Sequence, residues 1–162
     1  MLKKAGFFGR SANSLSGVLL LVLVSSLSMP APLQAALGDK LDSVEADRVR
    51  MKATSVVKAA TLYTTHELLT PQQTTIREYV SNAGVVFAVT WQGPFQPDLT
   101  QLFGAYVDSY KTAARGSASS RNRLSVSEPN LVVQAVGHMR AFSGRAYDPQ
   151  LLPAGINIDE IQ

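Results

Sequence analysis

The sequence predicts an α+β fold: an antiparallel sheet of about five to six strands packed against one main amphipathic helix, preceded by a charged helix. Three observations carry this expectation. Short runs rich in β-branched and aromatic residues recur between Thr61 and Tyr147, separated by turn-forming clusters. One segment places Leu99, Leu102, Phe103, Tyr106, Val107 and Tyr110 at the spacing of a single helical face. The chain contains no cysteine, so a core and not disulfides must hold the fold.

The chain divides into three parts: a signal peptide over residues 1–35, a charged helix over 36–55, and an α+β domain over 56–162. Lys3, Lys4 and Arg10 form a basic start, "GVLLLVLV" (Gly17 to Val24) an apolar run, and Pro30, Pro32 and "LQAA" (Leu33 to Ala36) a small-residue exit. That order is the secretory pattern, and the apolar run is far shorter than the roughly 20 residues that span a bilayer. Cleavage is expected after Ala35, with Ala36 as the alternative, and delivery to the periplasm or the outside. An uncleaved membrane anchor is the competing reading. Removing 35 of the 162 residues leaves 127, enough for a core of its own. The removed segment holds three of the 15 basic residues and none of the 12 acidic ones. The remainder carries 12 of each, which takes away the net positive charge that a nucleic-acid partner would call for.

The elements follow in order. "DKLDSVEADRVRMKA", residues 39–53, has no Gly or Pro, and pairs Glu45 with Arg48 and Asp47 with Arg50 one turn apart. Its thin stripe of Leu41, Val44 and Met51 predicts a helix packed loosely on the body. "TLYTTHELL" (Thr61 to Leu69), "TTIREYV" (Thr74 to Val80) and "VVFAVTW" (Val85 to Trp91) then read as three strands joined by "TPQQ" and "SNAG". In the third, Val85, Phe87, Val89 and Trp91 are expected on one face, and Val86, Ala88 and Thr90 on the other. Asp98 fits a helix N-cap with Gln101 as its capping-box partner, opening a helix over Asp98–Arg115. The face bearing Phe87 and Trp91 is its natural cover. Gly104 falls inside it at a cost of about 1 kcal/mol. "ARGSASSRNR" (Ala114 to Arg123) reads as a solvated loop, with an anion-binding loop as the alternative. "LSVS" and "LVVQAV" give two further strands around the turn "EPN". The tail "LLPAGINIDEIQ" is expected at a sheet edge.

Three phrases occur together: "IREYVSNAGVVFAVTWQGPFQPDLTQLFGAY", "PNLVVQAVGHMRAFSGRAYDPQLLPAGI" and the start "ALGD". The set closely resembles a Gram-negative bacterial family described as domain of unknown function 2844, over Ala36 to Gln162. The resemblance implies an exported single-domain protein. It brings no activity, so no catalytic residue transfers. Val136 stands where that family usually has a second glycine before "GHMR".

The reactive-looking stretch is "GHMRAFSGRAY", Gly137 to Tyr147. Gly137-His138 between two strand-like runs fits a two-residue hairpin turn, with His138 at its tip. Arg140, Phe142, Gly144 and Ala146 would then share one face, and Met139, Ala141, Ser143, Arg145 and Tyr147 the other. Arg140 and Arg145 could not clamp one anion together without a bulge at Gly144. An enzymatic reading needs His138 as base and Ser143 or Tyr147 as its partner, and the chain has no Gly-x-Ser-x-Gly elbow. His66 and His138 are the only two histidines and lie in no metal-binding spacing, and no Gly-x-Gly-x-x-Gly phosphate loop is present. Neither a metal nor a cofactor is called for.

The candidate binding residues are Trp91, Phe95, His138, Arg140 and Arg145, with no catalytic residue assigned. Trp91 and Phe95 flank "QGP" at a strand end, where they either staple the helix start or present an edge to a partner. The function expected is a non-enzymatic binding or structural component of the bacterial envelope, with another envelope protein or a glycan as partner. The alternatives are a hydrolase or transferase centred on His138, which needs His138, Ser143 and the arginines in one pocket, and a small lipid or glycan carrier, which needs an apolar cavity between sheet and helix.

Overall fold

The computed structural model describes residues 37–116 and 122–161. The signal-peptide expectation for residues 1–35 and the middle of the serine-rich loop lie outside them. The architecture is one antiparallel sheet of seven strands with helices on one face.

Helix α1 spans Asp42–Arg50. Arg48 donates to both carboxyl oxygens of Glu45, at 2.6 and 2.8 Å, as the one-turn spacing predicts. Asp47 does not pair with Arg50 as expected. It turns inward and is fully buried, as is Val44 beside it. The helix is therefore seated by one apolar and one polar anchor, not loosely packed.

Strand β1 follows at once, Thr54–Ala59. The charged helix was expected over 36–55 and the first strand from Thr61, so this strand is a correction. Every residue of β1 is exposed, and an edge strand without a buried face carries no alternation to read. Strands β2 (Tyr63–Leu69), β3 (Thr75–Ser81) and β4 (Val86–Gly93) complete a four-stranded meander. The chain then crosses the sheet in helices and returns at the far edge. Strands β5 (Arg123–Glu128), β6 (Leu131–His138) and β7 (Ala141–Tyr147) run back inward, so β7 lies against β4. The order is β1-β2-β3-β4-β7-β6-β5, and the strand count of seven exceeds the expected five to six.

Two local details differ from the alternation reading. Between β3 and β4 the register passes from Tyr79↔Ala88 to Val80↔Val86, which leaves Phe87 as the extra residue of a bulge. Phe87 is thereby packed with Tyr63, Tyr79 and Ile161, away from the helices, while Val86, Val89 and Trp91 remain under them. The β6–β7 hairpin turns at Met139-Arg140, not at Gly137-His138: His138 pairs with Ala141, and Arg140 takes a left-handed φ of 60°. Gly137 is a strand residue opposite Phe142, whose ring lies 3.0 Å from where a Cβ would sit.

The crossing helix starts as expected. Asp98 accepts from the backbone N–H of Thr100 at 2.9 Å and of Gln101 at 3.4 Å. It is not continuous. Helix α2 (Leu99–Phe103) passes through a 3-10 turn at Gly104–Tyr106 into α3 (Val107–Gly116), because Gly104 takes φ 44° and ψ −114°, which only glycine adopts readily. The first face of the sheet and the helices share a core of Leu68, Ile76, Val89, Trp91, Leu102, Phe103, Val126 and Val133. Phe103 lies between Trp91 (ring centroids 6.1 Å apart) and Tyr110 (4.8 Å, edge to face).

The tail does not pack at an edge. After β7, Leu151, Leu152, Ile156, Ile158 and Ile161 fold onto part of the second face, against Tyr63, Tyr79, Phe87 and Tyr147. Asp148, buried at the start of this segment, accepts a 2.5 Å hydrogen bond from the Tyr106 hydroxyl. Burial, and then that bond, push the Tyr106 hydroxyl up to about 12.

Phe103→Ala is expected to destabilise by about 3–5 kcal/mol, the cost of truncating a buried Phe, read as a lower denaturant midpoint; a change under ~0.5 kcal/mol would mean this face is not the core. Gly144 lies directly opposite Trp91 in the register, and a Cβ there would sit 2.3 Å from the indole. Gly144→Ala is therefore expected to cost about 1–3 kcal/mol by overpacking, and unchanged thermal unfolding would contradict that packing.

Candidate functional site

The second face of the sheet is chemically unlike the first. Register places Glu67 (β2), Arg77 (β3), Thr90 (β4), Arg145 (β7), Gln134 (β6) and Ser125 (β5) side by side in one row. The described part of the tail packs on the neighbouring row, which holds Tyr79, Ala88 and Tyr147. The polar row is left as the floor and walls of an open groove of about 390 Å3, lined among others by Arg77, Thr90, Gln92, Gln134, Ser143 and Arg145.

The two arginines are held in place. The Arg77 Nε donates to Glu67 at 2.9 Å, and Lys58 meets the same carboxyl at 3.3 Å. The Arg77 bond, more than Lys58, holds the Glu67 carboxyl below the usual carboxylate range. Arg145 donates to the Gln134 side-chain oxygen at 2.9 Å and to the Ile158 carbonyl at 3.0 Å. Its Nη2 lies 3.4 Å from the Asp159 carboxylate.

Of the residues singled out in the sequence, Arg145 alone has its side chain in this groove's polar row. Trp91 is 3 % exposed, with its ring against Phe103, so it seats the helix, and it is among the residues lining both this groove and an opening on the helix side. Phe95 is half exposed beyond the end of β4, and its carbonyl accepts from the Thr74 hydroxyl at 2.9 Å. His138 is exposed at the end of β6 and approaches Asn122 at 3.5 Å. Ser143 pairs with Val136 in the register and lines the groove, whereas His138, one pair further along opposite Ala141, does not line it and makes no hydrogen bond to Ser143. Arg140 stands in the turn, away from Arg145. A second opening of about 300 Å3 lies on the helix side, between Leu99, Leu124, Ala135 and Phe142, where a carrier's cavity would be sought. Arg77 and Thr90 were not read as site residues, because nothing local in the sequence marks them as neighbours of Arg145.

A buried acid pair sits on the first face. Asp47 from α1 meets Glu78 from β3, and the Gln101 side chain from α2 donates to Asp47. Gln101 thus anchors α1 instead of completing the capping box. Asp47 and Glu78 are 0 % and 2 % exposed, and three of their four carboxyl oxygens have no other donor. Burial pushes Asp47 up to about 6, and burial together with the Asp47 charge pushes Glu78 well above its usual range. Two like charges this close and this deeply buried disfavour ionising both acids together. His66, opposite Glu78 in the register, is lowered by burial. Among the described residues no group of three or more His, Asp or Glu could hold a metal ion, and no helix is long and apolar enough to cross a membrane.

Both acids are raised above their unfolded values, so their stabilisation is full below about pH 4 and is lost as pH rises through about 6 and, for Glu78, beyond. Stability is expected to fall between pH 5 and pH 8, by up to about 1.4 kcal/mol per pH unit for each proton released. Glu45, Glu67 and Asp98 are all held low and titrate below this window, while His66, lowered by burial, adds a smaller opposing rise that Glu78→Gln leaves in place. Urea midpoints across the window should show the slope, and Glu78→Gln should flatten it; an equal slope in the variant would contradict the assignment.

The family described as "Protein of unknown function (DUF2844)" matches residues 33–161. No curated protein matches the chain, and no solved structure does.

Proposed function

The chain belongs to the DUF2844 family, and from that premise we propose that it is an exported, non-enzymatic binding protein of the bacterial envelope, whose ligand seats on the open half of the sheet's second face. One observation carries the reading: the central strands β3, β4 and β7 present a row of hydrogen-bonding side chains that, among the described residues, no helix covers and the tail meets at Arg145, leaving a groove open beside it. Central strands are the stiffest part of such a sheet, and binding groups are most precise on rigid elements. The signal-like first 35 residues and the absence of cysteine suit a small exported domain that relies on its core. The lack of a hydrogen bond between His138 and Ser143, and the place of His138 outside the groove's lining, favour binding over hydrolysis or group transfer.

Fractionated cells should yield the protein in the periplasm or medium with its N-terminus at Ala36 or Leu37; a start at Met1 would remove the export part of the reading. Envelope extract passed over the immobilised protein should leave retained material that elutes chemically unaltered. Ser143→Trp, which fills the groove from an exposed position, should abolish that retention while leaving stability within about 0.5 kcal/mol. Retention indifferent to Ser143→Trp, or a chemically converted ligand, would refute the proposal.

A further inference from the structure

Strand β1 stands at one end of the sheet order and, among the described residues, pairs only with β2. All of its residues are exposed, and Val56 and Val57, which point to opposite faces, are 54 % and 57 % exposed. Edge strands are normally guarded by proline, a bulge, inward-pointing charge or a covering element. β1 has no proline, its register with β2 runs unbroken from Thr54↔Leu69 to Ala59↔Thr64, and its single charge is Lys58. The opposite edge is guarded: β5 carries Arg123 and Glu128 at its ends, and α3 packs against it.

The β1–β2 hairpin decides which backbone groups of β1 face outward. The Ala60 N–H donates to the Tyr63 carbonyl at 2.9 Å and closes the turn. Bonded and non-bonded pairs alternate along an antiparallel ladder. Counting back from Ala60, the inward bonds to β2 fall at Lys58, Val56 and Thr54. The N–H and C=O groups of Ser55, Val57 and Ala59 therefore point away from β2, toward a side where no described strand lies. This open stretch is bounded at both ends by groups already in use. The Ala53 N–H donates to the Arg48 carbonyl, and the Thr61 carbonyl accepts from the Asn82 side chain.

The three outward residues are symmetric about Val57. An antiparallel pairing with a second copy, Val57 opposite the partner's Val57, sets Ser55 opposite the partner's Ala59 and joins every outward group of one strand to one of the other. A shift by two residues sets Ala59 against the partner's Ala53, or Ser55 against the partner's Thr61, where those groups are taken. On the first face the two Val57 side chains meet between the small Ser55 and Ala59. On the second face Lys58 falls opposite the partner's Val56, whose neighbour on β2 is the partner's Glu67. The lysine stem covers that valine. Its ammonium, 3.3 Å from Glu67 of its own chain, gains a second carboxylate within reach, and no like charges stand directly opposite each other.

We propose that β1 pairs edge to edge with β1 of a second copy, about a two-fold axis that passes through Val57 perpendicular to the sheet, and makes one continuous sheet across a dimer. The axis leaves both second faces on the same side, so the dimer presents its two grooves together. The pairing does not depend on what the groove binds. A contact of one strand with one strand lies at the small end of specific interfaces, below about 1,200 Å2, so the dimer is a reversible one.

Sedimentation velocity of the purified protein over a concentration series tests it. A monomer is expected at about 1 µM and a dimer at about 1 mM. Val57→Pro removes an N–H that has no partner within the monomer. It should weaken dimerisation by about tenfold or more while leaving the circular dichroism of the monomer unchanged. The chain has no cysteine, so single-cysteine variants report the register. The Cα atoms of the two Val57 residues would stand about 5.5 Å apart and those of the two Val56 residues roughly 8 Å, inside and outside the reach of a disulfide. Under mild oxidation Val57→Cys should therefore crosslink at least about tenfold faster than Val56→Cys, a comparison that decides the matter even if Val57→Pro fails to fold. A monomer throughout the series, a dimer indifferent to Val57→Pro, or equal crosslinking of the two cysteine variants would overturn the proposal. So would a monomer that retains a different envelope protein and loses it in Val57→Pro, since the edge would then serve another partner.

Discussion

A single sheet has two faces, and among the described residues one helical layer stands against them. Seven strands at about 4.8 Å spacing make a sheet roughly 30 Å wide. The described helices all lie on one face, where Phe103, Leu102 and Val44 complete the core with Trp91, Ile76 and Val133. Among the described residues the second face receives only the segment after β7, and its apolar residues pack on the row of Tyr79, Ala88 and Tyr147. The next row cannot be apolar without exposing a hydrophobic strip, and it is not: Glu67, Arg77, Thr90, Arg145 and Gln134 occupy it. The composition of the groove thus follows from the shortage of cover, and its rigidity from its place on the central strands.

The helical layer has a constraint of its own. Helix α1 has little apolar surface, and it is tied down by Asp47, which meets Glu78 of the sheet and Gln101 of α2. One polar cluster joins three elements that are distant in sequence. Burial disfavours ionising both acids together, so the cluster is most cohesive while it retains a proton. It leaves the groove chemistry separate, since Glu78 points to the helices and Arg77, its neighbour in the strand, to the other face.

Much of the fold is legible in the sequence, and the exceptions have physical causes. Alternation or β-branched runs mark the other six strands, but β1 has no buried face and leaves no pattern. The spacing from Leu99 to Tyr110 marks the helix, and Gly104 was visible as an anomaly whose meaning, a positive φ, needs the backbone. A bulge moves Phe87 to the other face, and a bulge is a property of two strands together. The site follows the same rule. The cluster from Gly137 to Tyr147 draws attention because its residues are adjacent in sequence, yet adjacent strand residues face opposite ways. The set that does converge, Arg77, Thr90 and Arg145, is assembled by register across three strands, two of which are joined only after the helical crossing. Arg145 could be picked out as a candidate; its companions could not.

The arginine side-chain Nε–Hε resonances test the central claim directly, because Arg77, Arg140 and Arg145 report from different places. Addition of the envelope material that the immobilised protein retains should shift the signals of Arg77 and Arg145 together, to saturation at one concentration, and leave that of Arg140 in the Met139-Arg140 turn unmoved. A response confined to Arg140, or no response from either groove arginine while the ligand is bound, would contradict the account.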